Sequence, residues 1–365
     1  MDRIAEALQT SAGMLWKALW ALIFGYLISA GIQVIVSREQ MARVLGRRGA
    51  KEAALAGFFG FVSSSCSFAA LAASRSVFVK GAHAANAIAF LIASTNLVLE
   101  LGIVLYVLLG WHFLAGNLLV GCLMIVYAYV LTRLWLPRGT AERACARAEE
   151  RLEHEGSGET EKGMRWTDAL TTRDGWRRIT ERFVAEWRMV WKEILFGFTV
   201  AGLISVYVPQ RFWDAVLLGG GDSPGFGVVL ENVLVAPVIA FFTFIGSMGN
   251  VPLAAMLWSK GASFGGVMSF LGADLVAATV VWIHAKYYGW RYAGYVSLLL
   301  YASMVAAGIT VHYLFLAIGV LPTERRALAE MVAFRIDYTF WLNVVFVTLA
   351  VALLVLRARS RAARG

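Results

Sequence analysis

The stretch FFGFVSSSCSFAALAASRSVFVKGA, Phe58–Ala82, begins and ends like an apolar helix, yet carries hydroxyl or thiol groups at Ser63, Ser64, Ser65, Cys66 and Ser67. Whether those five side chains meet water or lipid decides the fold, and the rest of the chain supplies the answer. Of 365 residues, 59% are apolar and 16% charged, against roughly 45–50% and about 25% in soluble domains. The apolar residues come in long blocks, among them Met14–Val36, Phe113–Trp135 and Phe340–Leu356. About 20 apolar residues in a helix cross a hydrocarbon core of ~30 Å. Ten-residue segments of alternating polarity, which a lipid-facing barrel needs, are absent. The chain reads as an all-α polytopic integral membrane protein.

Candidate spans fall at 14–36, 83–109, 112–135, 188–208, 262–288, 290–318 and 338–357. Two further apolar stretches, 51–79 and 228–259, are interrupted by small and polar residues. The expected organisation is a first membrane half over 1–136, a charged linker over 137–186 and a second half over 187–320. An additional span with a basic tail occupies 321–365. The first apolar run is too long for a signal peptide and lacks a small-x-small cleavage site, so it is expected to be retained. Cys66, Cys122 and Cys145 are too scattered for a disulfide framework or a zinc site. The net charge of +9 sits in loops and in RARSRAARG, Arg357–Gly365. That is what orientation in a membrane requires, and it gives no reason to expect nucleic acid.

The halves repeat. Lys80-Gly81-Ala82 and Lys260-Gly261-Ala262 are followed at equal distance by Phe90-Leu91 and Phe270-Leu271. IASTNLV (Ile92–Val98) and GADLV (Gly272–Val276) come next, and each half then reaches Gly-Trp, at Gly110-Trp111 and Gly289-Trp290. The fixed order of these features points to duplication. Basic loops belong in the cytoplasm, so the Arg-rich linker and the C-terminus are placed there. A full crossing at 51–79 would put Arg38, Arg43, Arg47, Arg48 and Lys51 outside. A hairpin that enters and turns back at the serine cluster removes the conflict. The same treatment of 228–259 leaves Lys80 and Lys260 on opposite sides, so the repeats are expected to be inverted. Hydroxyls and irregular backbone are tolerated at membrane depth where protein or a cavity surrounds them.

Inverted halves with broken helices that meet near the midplane are a recurring transporter plan. The candidate breaks are Ser63–Ser67, Ser94-Thr95-Asn96, Gly246–Pro252 and Gly272-Ala273-Asp274. The expected substrate-lining residues are Ser65, Cys66, Asn96, Asn250 and Asp274. Glu100 and Asp274 are acids inside apolar runs, where a charge costs at least ~2.5–3.5 kcal/mol, and both are expected to couple proton movement. The bland alternatives are close helix packing by small residues and static pairing of Glu100 or Asp274 with Arg75, Lys80 or His284. His83, His112, His284 and His312 read as interfacial. No phosphate-binding loop is present, since GSGETEKG (Gly156–Gly163) has the wrong spacing. No cofactor and no metal are called for. The expected partners are a small solute or ion and the lipid bilayer, and the oligomeric state is open.

The segments CSFAALAASRSVFVKGAHAANAIAFLIASTNLVLELGIVLYVLLGW (Cys66–Trp111) and GNVPLAAMLWSKGASFGGVMSFLGADLV (Gly249–Val276) resemble the bacterial and archaeal predicted-permease family that includes organoarsenical efflux permeases. The resemblance implies a multi-pass inner-membrane permease and, for some members, export of trivalent organoarsenicals. Arsenical-exporting members tend to carry an additional cysteine near Cys66, where this chain has Ser65 and Ser67. The expected function is therefore a secondary transporter that exports a small solute, with a metalloid or organoarsenical among the candidates. The alternatives are an intramembrane enzyme that uses Cys66 or a serine as nucleophile, for which no positioned base is visible, and a membrane subunit of a larger assembly.

Overall fold

The structure, a computed structural model, describes residues 3–35, 49–63, 67–79, 81–155, 164–217, 225–243, 245–325 and 336–362. Among them there is no strand, and seven helices are long and apolar enough to cross a membrane. In chain order the first half holds α1 (Arg3–Ile35), α2 (Ala50–Ser63), α3 (Ser67–Val79), α4 (Ala84–Asn96), α5 (Leu99–Leu109) and α6 (Trp111–Trp135). The connector contributes α7 (Arg138–Glu155) and α8 (Trp166–Thr171). The second half holds α9 (Arg173–Tyr207), α10 (Gln210–Val216), α11 (Phe226–Thr243), α12 (Ser247–Ser259), α13 (Phe264–Leu271), the 3₁₀ turn η1 (Gly272–Val276), α14 (Ala278–Tyr288) and α15 (Trp290–Ala317). The last helix, α16 (Tyr338–Ala362), packs on α1 and α9.

The repeat read from short shared words extends to hydrogen bonds. The Gly81 N–H donates to the Phe78 carbonyl and that of Ala82 to the Val77 carbonyl, while Gly261 and Ala262 donate to Trp258 and Leu257. Both turns place a left-handed glycine after the helix, the ordinary way to satisfy its last carbonyls. Each is followed by a cap that accepts a backbone N–H: His83 takes Ala85, and Ser263 takes Gly266. Further on, α4 gives way to α5 with a bend of 42°, and α13 passes through η1 into α14. The helices α5 and α14 are each 11 residues long. Each ends on a glycine, Gly110 with φ 93° and Gly289 with φ 90°, that also starts the next long helix. At such a φ a side chain would be strained.

The helices α2 and α3 both pack on α4, and Ala53 and Ala56 share one apolar cluster with Ala73, Val77, Ala82, Ala89 and Phe90. In the second half, the Asn232 Oδ1 near the start of α11 accepts the Ser263 N–H at 2.6 Å, and Phe226 lies 6.1 Å from the Tyr313 ring. The Gly265 N–H meets His312 Nδ1 at 3.3 Å. The beginning of α11 and the end of α12 thus lie beside the same turn.

The long helices α1 and α9 pack together and carry the two halves. α9 starts on Thr172, whose hydroxyl accepts the Gly175 N–H, and its first turn holds Asp174 against Arg177 and Arg178. It runs unbroken from Arg173 through the linker boundary expected at 186. Contact with each half is made where glycine lets backbones touch. A Cβ on Gly25 of α1 would lie 2.6 Å from the Glu100 Cα, and one on Gly197 of α9 would lie 2.6 Å from the Gly249 Cα.

Candidate functional site

The second half brings Asp274, Ser247 and Glu193 together. Residues Gly272–Val276 tighten into a 3₁₀ turn, and Ala277 is extended at φ −52°, ψ 143° before α14 starts. A 3₁₀ stretch has poorer hydrogen-bond geometry than an α-helix, and inside a helix it often accompanies a functional hinge or a sequence under strain. Asp274, 1% exposed, accepts the Ser247 hydroxyl. Ser247 opens α12, whose first N–H groups carry the positive end of the helix dipole, a favourable setting for a carboxylate. Glu193, half-buried on α9, faces the same helix end. A Cβ on Gly246 would stand 2.5 Å from its Oε2, so glycine leaves the room this carboxyl occupies. The Asp274 carboxyl lies within electrostatic range of Glu193.

Asn250 sits three residues beyond Ser247, on the same face of α12. It is 0% exposed, and neither amide atom has a hydrogen-bond partner among the described residues. A buried amide left unmade costs about 1–3 kcal/mol, which makes it a place where a ligand would be stabilising.

In the first half, Val98 is extended at φ −70°, ψ 140° between α4 and α5, and Glu100 falls in the first turn of α5. Glu100 is buried against Gly25 of α1 and lies in electrostatic range of Glu186 on α9. The Oε1 of Glu186 accepts hydrogen bonds from Ser29, at 3.4 Å, and from Gln33, both on α1. Asn96 is buried too but spends its amide locally, on the Ile92 carbonyl and Thr95, while Asn117 donates to the Asn96 carbonyl at 2.7 Å. The breaks approach one another: α4 touches η1, and α5 packs against α12.

Of the residues singled out in the sequence, Asn96, Glu100, Asn250 and Asp274 all lie in the interior, and Ser65 and Cys66 lie outside the described residues. His284 and His312 are buried within the protein. His284 is held by the Val280 carbonyl, and His312 receives Gly265. The sequence reading missed Glu186, Glu193, Asn117, Ser29 and Gln33. The glutamates hide among Arg182, Arg188 and Lys192, which read as a membrane interface. Their spacing gives them away, because Glu186 falls on the buried stripe of Phe183, Val190, Ile194, Gly197 and Ala201. Among the described residues no three His, Cys, Asp or Glu converge closely enough to hold a metal ion.

The arrangement is that of a polytopic helical membrane protein with an interior polar site built at helix breaks. Residues 3–313 match the family described as "Predicted permease", and the chain belongs to that family. It is 39% identical over 332 residues to "Putative permease Rv2963" of Mycobacterium tuberculosis, an overlap of 88% of this chain and 80% of that protein. No solved structure matches the chain.

Proposed function

We propose that the protein is a secondary transporter, located in the inner membrane, that exports a small solute through a site lined by Ser65, Cys66, Asn96, Asn250 and Asp274. Glu100 and Asp274 couple the movement to protons. The two halves are inverted, and one observation carries this reading. Within a half, the Lys-Gly-Ala turn and the Gly-Trp turn stand at opposite ends of a broken span. Across halves the unlike turns meet. Phe113, just after Gly110, lies 5.1 Å from Trp258 and 5.2 Å from Phe264, which flank the second Lys-Gly-Ala turn. Phe78, just before the first Lys-Gly-Ala turn, lies 5.8 Å from Tyr288 and 5.9 Å from Tyr292, which flank Gly289. Halves that run in opposite senses bring unlike ends together at both seams, which supports the inverted reading.

The apolar cluster shared by Ala53 and Val77, and the Asn232–Ser263 hydrogen bond, support hairpins that return to the side they entered. A site between inverted halves can open to either face by rocking one half on the other. The Arg-rich linker and tail favour a cytoplasmic position for both. At the Phe78–Tyr288–Tyr292 seam, α7 docks through the buried Ala144 and Ala148, and the Cys145 thiol reaches the Phe78 carbonyl at 3.7 Å. Burial, with Glu149 adding to it, pushes that thiol up, so it stays protonated and packs as a small hydrophobe. Membership of a permease family favours transport over catalysis.

Inside-out vesicles that contain the protein and a pH-sensitive dye test the reading. Phenylarsenite, arsenite and a quaternary ammonium ion serve as probes. Accumulation of at least one probe, with proton release from the lumen, is the expected result. No accumulation of any probe under an imposed proton gradient counts against it.

A further inference from the structure

The two glycine hinges are alike in backbone and unlike in what lies on them. A Cβ on Gly110 would meet nothing within 4 Å among the described residues, whereas one on Gly289 would stand 2.6 Å from the Arg147 Nη1. Arg147 belongs to α7, the helix of the charged connector. A left-handed glycine leaves its backbone bare, and at Gly289 a guanidinium from outside the repeat occupies the vacant space.

α7 reaches that hinge from the other half. Leu136 and Pro137 link it to α6, and the Pro137 carbonyl accepts the N–H groups of Thr140 and Ala141 at 2.9 and 3.4 Å. Its start is therefore fixed to the end of a first-half span. From there it packs on α3 of the first half and on α14 and α15 of the second. Ala144 and Ala148 share one face and are buried there, with the Cys145 thiol beside them at the Phe78 carbonyl. Glu142, Arg143, Glu149 and Glu150 are exposed. The seam beneath α7 joins the halves. Phe78 packs on Tyr288 and Tyr292, and the buried Arg75 of α3 holds its Cζ 4.1 Å from the centre of the Tyr287 ring of α14.

The hold is light. The docking face offers mostly small groups, the methyls of Ala144 and Ala148 and the thiol of Cys145. Segments that bury little apolar surface are those that open locally at low cost. A helix fixed at one end and lightly held along one face can lift as a unit.

We propose that α7 is a strap across the two halves. Docked, it holds the Gly289 hinge and the Phe78–Tyr288–Tyr292 seam shut, and the halves part at this end only when it lifts. The Gly110 hinge carries no such cover and bends without that step. That the parting admits a solute rests on the transporter reading above, whereas the coupling between α7 and the seam does not.

Hydrogen–deuterium exchange with peptide mass spectrometry, on the full-length protein in lipid nanodiscs, tests the strap without any substrate. The reporting amides are hydrogen-bonded in place: Gly289 to the Ala285 carbonyl, Ala293 to that of Gly289, and Gly110 to those of Leu105 and Tyr106. Ala148→Glu puts a charge in the buried contact. Exchange should then speed up at least about threefold in 141–152 and in 285–293, and keep its wild-type rate in 105–113. Arg147 is exposed, so Arg147→Ala leaves the interior packing intact. It should speed up 285–293 by a smaller factor, and Arg147→Lys should restore part of the protection. Wild-type exchange in 285–293 with both Ala148→Glu and Arg147→Ala would overturn the proposal, as would an equal rise in 105–113. The expected pattern in a protein that accumulates no probe in vesicles would uphold the strap and count against the transporter reading alone.

Discussion

The two membrane halves share a backbone and differ in chemistry. Both run left-handed glycine turn, capped helix, break, 11-residue helix and glycine hinge in the same order. At the breaks the likeness ends. The first closes on itself, because Asn96 bonds its own helix and Asn117 holds its carbonyl. The second is tightened into a 3₁₀ turn with an acid inside it, and it faces an asparagine that bonds nothing described. The shared order of turns puts buried polar groups at the break of each half, and the second half leaves more of them without a local partner.

The largest expected effect is at the seam that fixes the scaffold. Gly197→Val puts a branched side chain where a Cβ already lies 2.6 Å from the Gly249 backbone, so it should cost about 3 kcal/mol or more and leave little folded protein. Gly31→Ala on α1, with nothing within 4 Å, should match wild type in the same thermal-unfolding measurement in detergent. Asp274→Asn comes next. It keeps shape and most hydrogen bonding but cannot titrate. The variant should insert normally and bind substrate yet lose proton-driven accumulation, and wild-type accumulation under the same gradient would remove Asp274 from the coupling step.

Asn117→Ala tests the self-closed break. It strips a 2.7 Å hydrogen bond from the buried Asn96 carbonyl and should lower stability by about 1–2 kcal/mol. Asn250→Leu tests the open one. A buried amide without partners loses nothing when an apolar group of similar size replaces it, so stability should be unchanged or slightly raised while solute uptake into vesicles is lost. Equal destabilisation by the two variants would erase the contrast between the halves. The smallest effect is expected from Cys66→Ser. The neighbouring serines show that this segment accepts a hydroxyl, so transport of a solute without thiol affinity should stay near wild type. Loss confined to thiophilic probes would instead identify Cys66 as a soft ligand.

Much of the fold was legible in the sequence. Blocks of apolar residues fixed the spans, and the paired Lys-Gly-Ala and Gly-Trp words located turns whose hydrogen bonds repeat. Acids in purely apolar surroundings, Glu100 and Asp274, were visible because nothing nearby excused their charge. Glu186 and Glu193 were hidden by the arginines and the lysine on the other faces of α9, since a linear reading averages over faces that the helix separates. Asn96 and Asn250 looked equivalent in sequence, and only the partners of their amides, which lie on other turns and other helices, tell them apart. The extension of α9 back to Arg173 was obscured by the same charged residues, which a long helix leaves in water at one end and buries at the other.

The central claim is that the halves are inverted, and side-specific labelling tests it most directly. In a chain with Cys66, Cys122 and Cys145 replaced by serine, single cysteines at Lys80 and at Lys260 are treated with a membrane-impermeant maleimide in right-side-out and inside-out vesicles. The account predicts that Lys80→Cys reacts only from the cytoplasmic face and Lys260→Cys only from the opposite face. Reaction of both positions from the same face would contradict it.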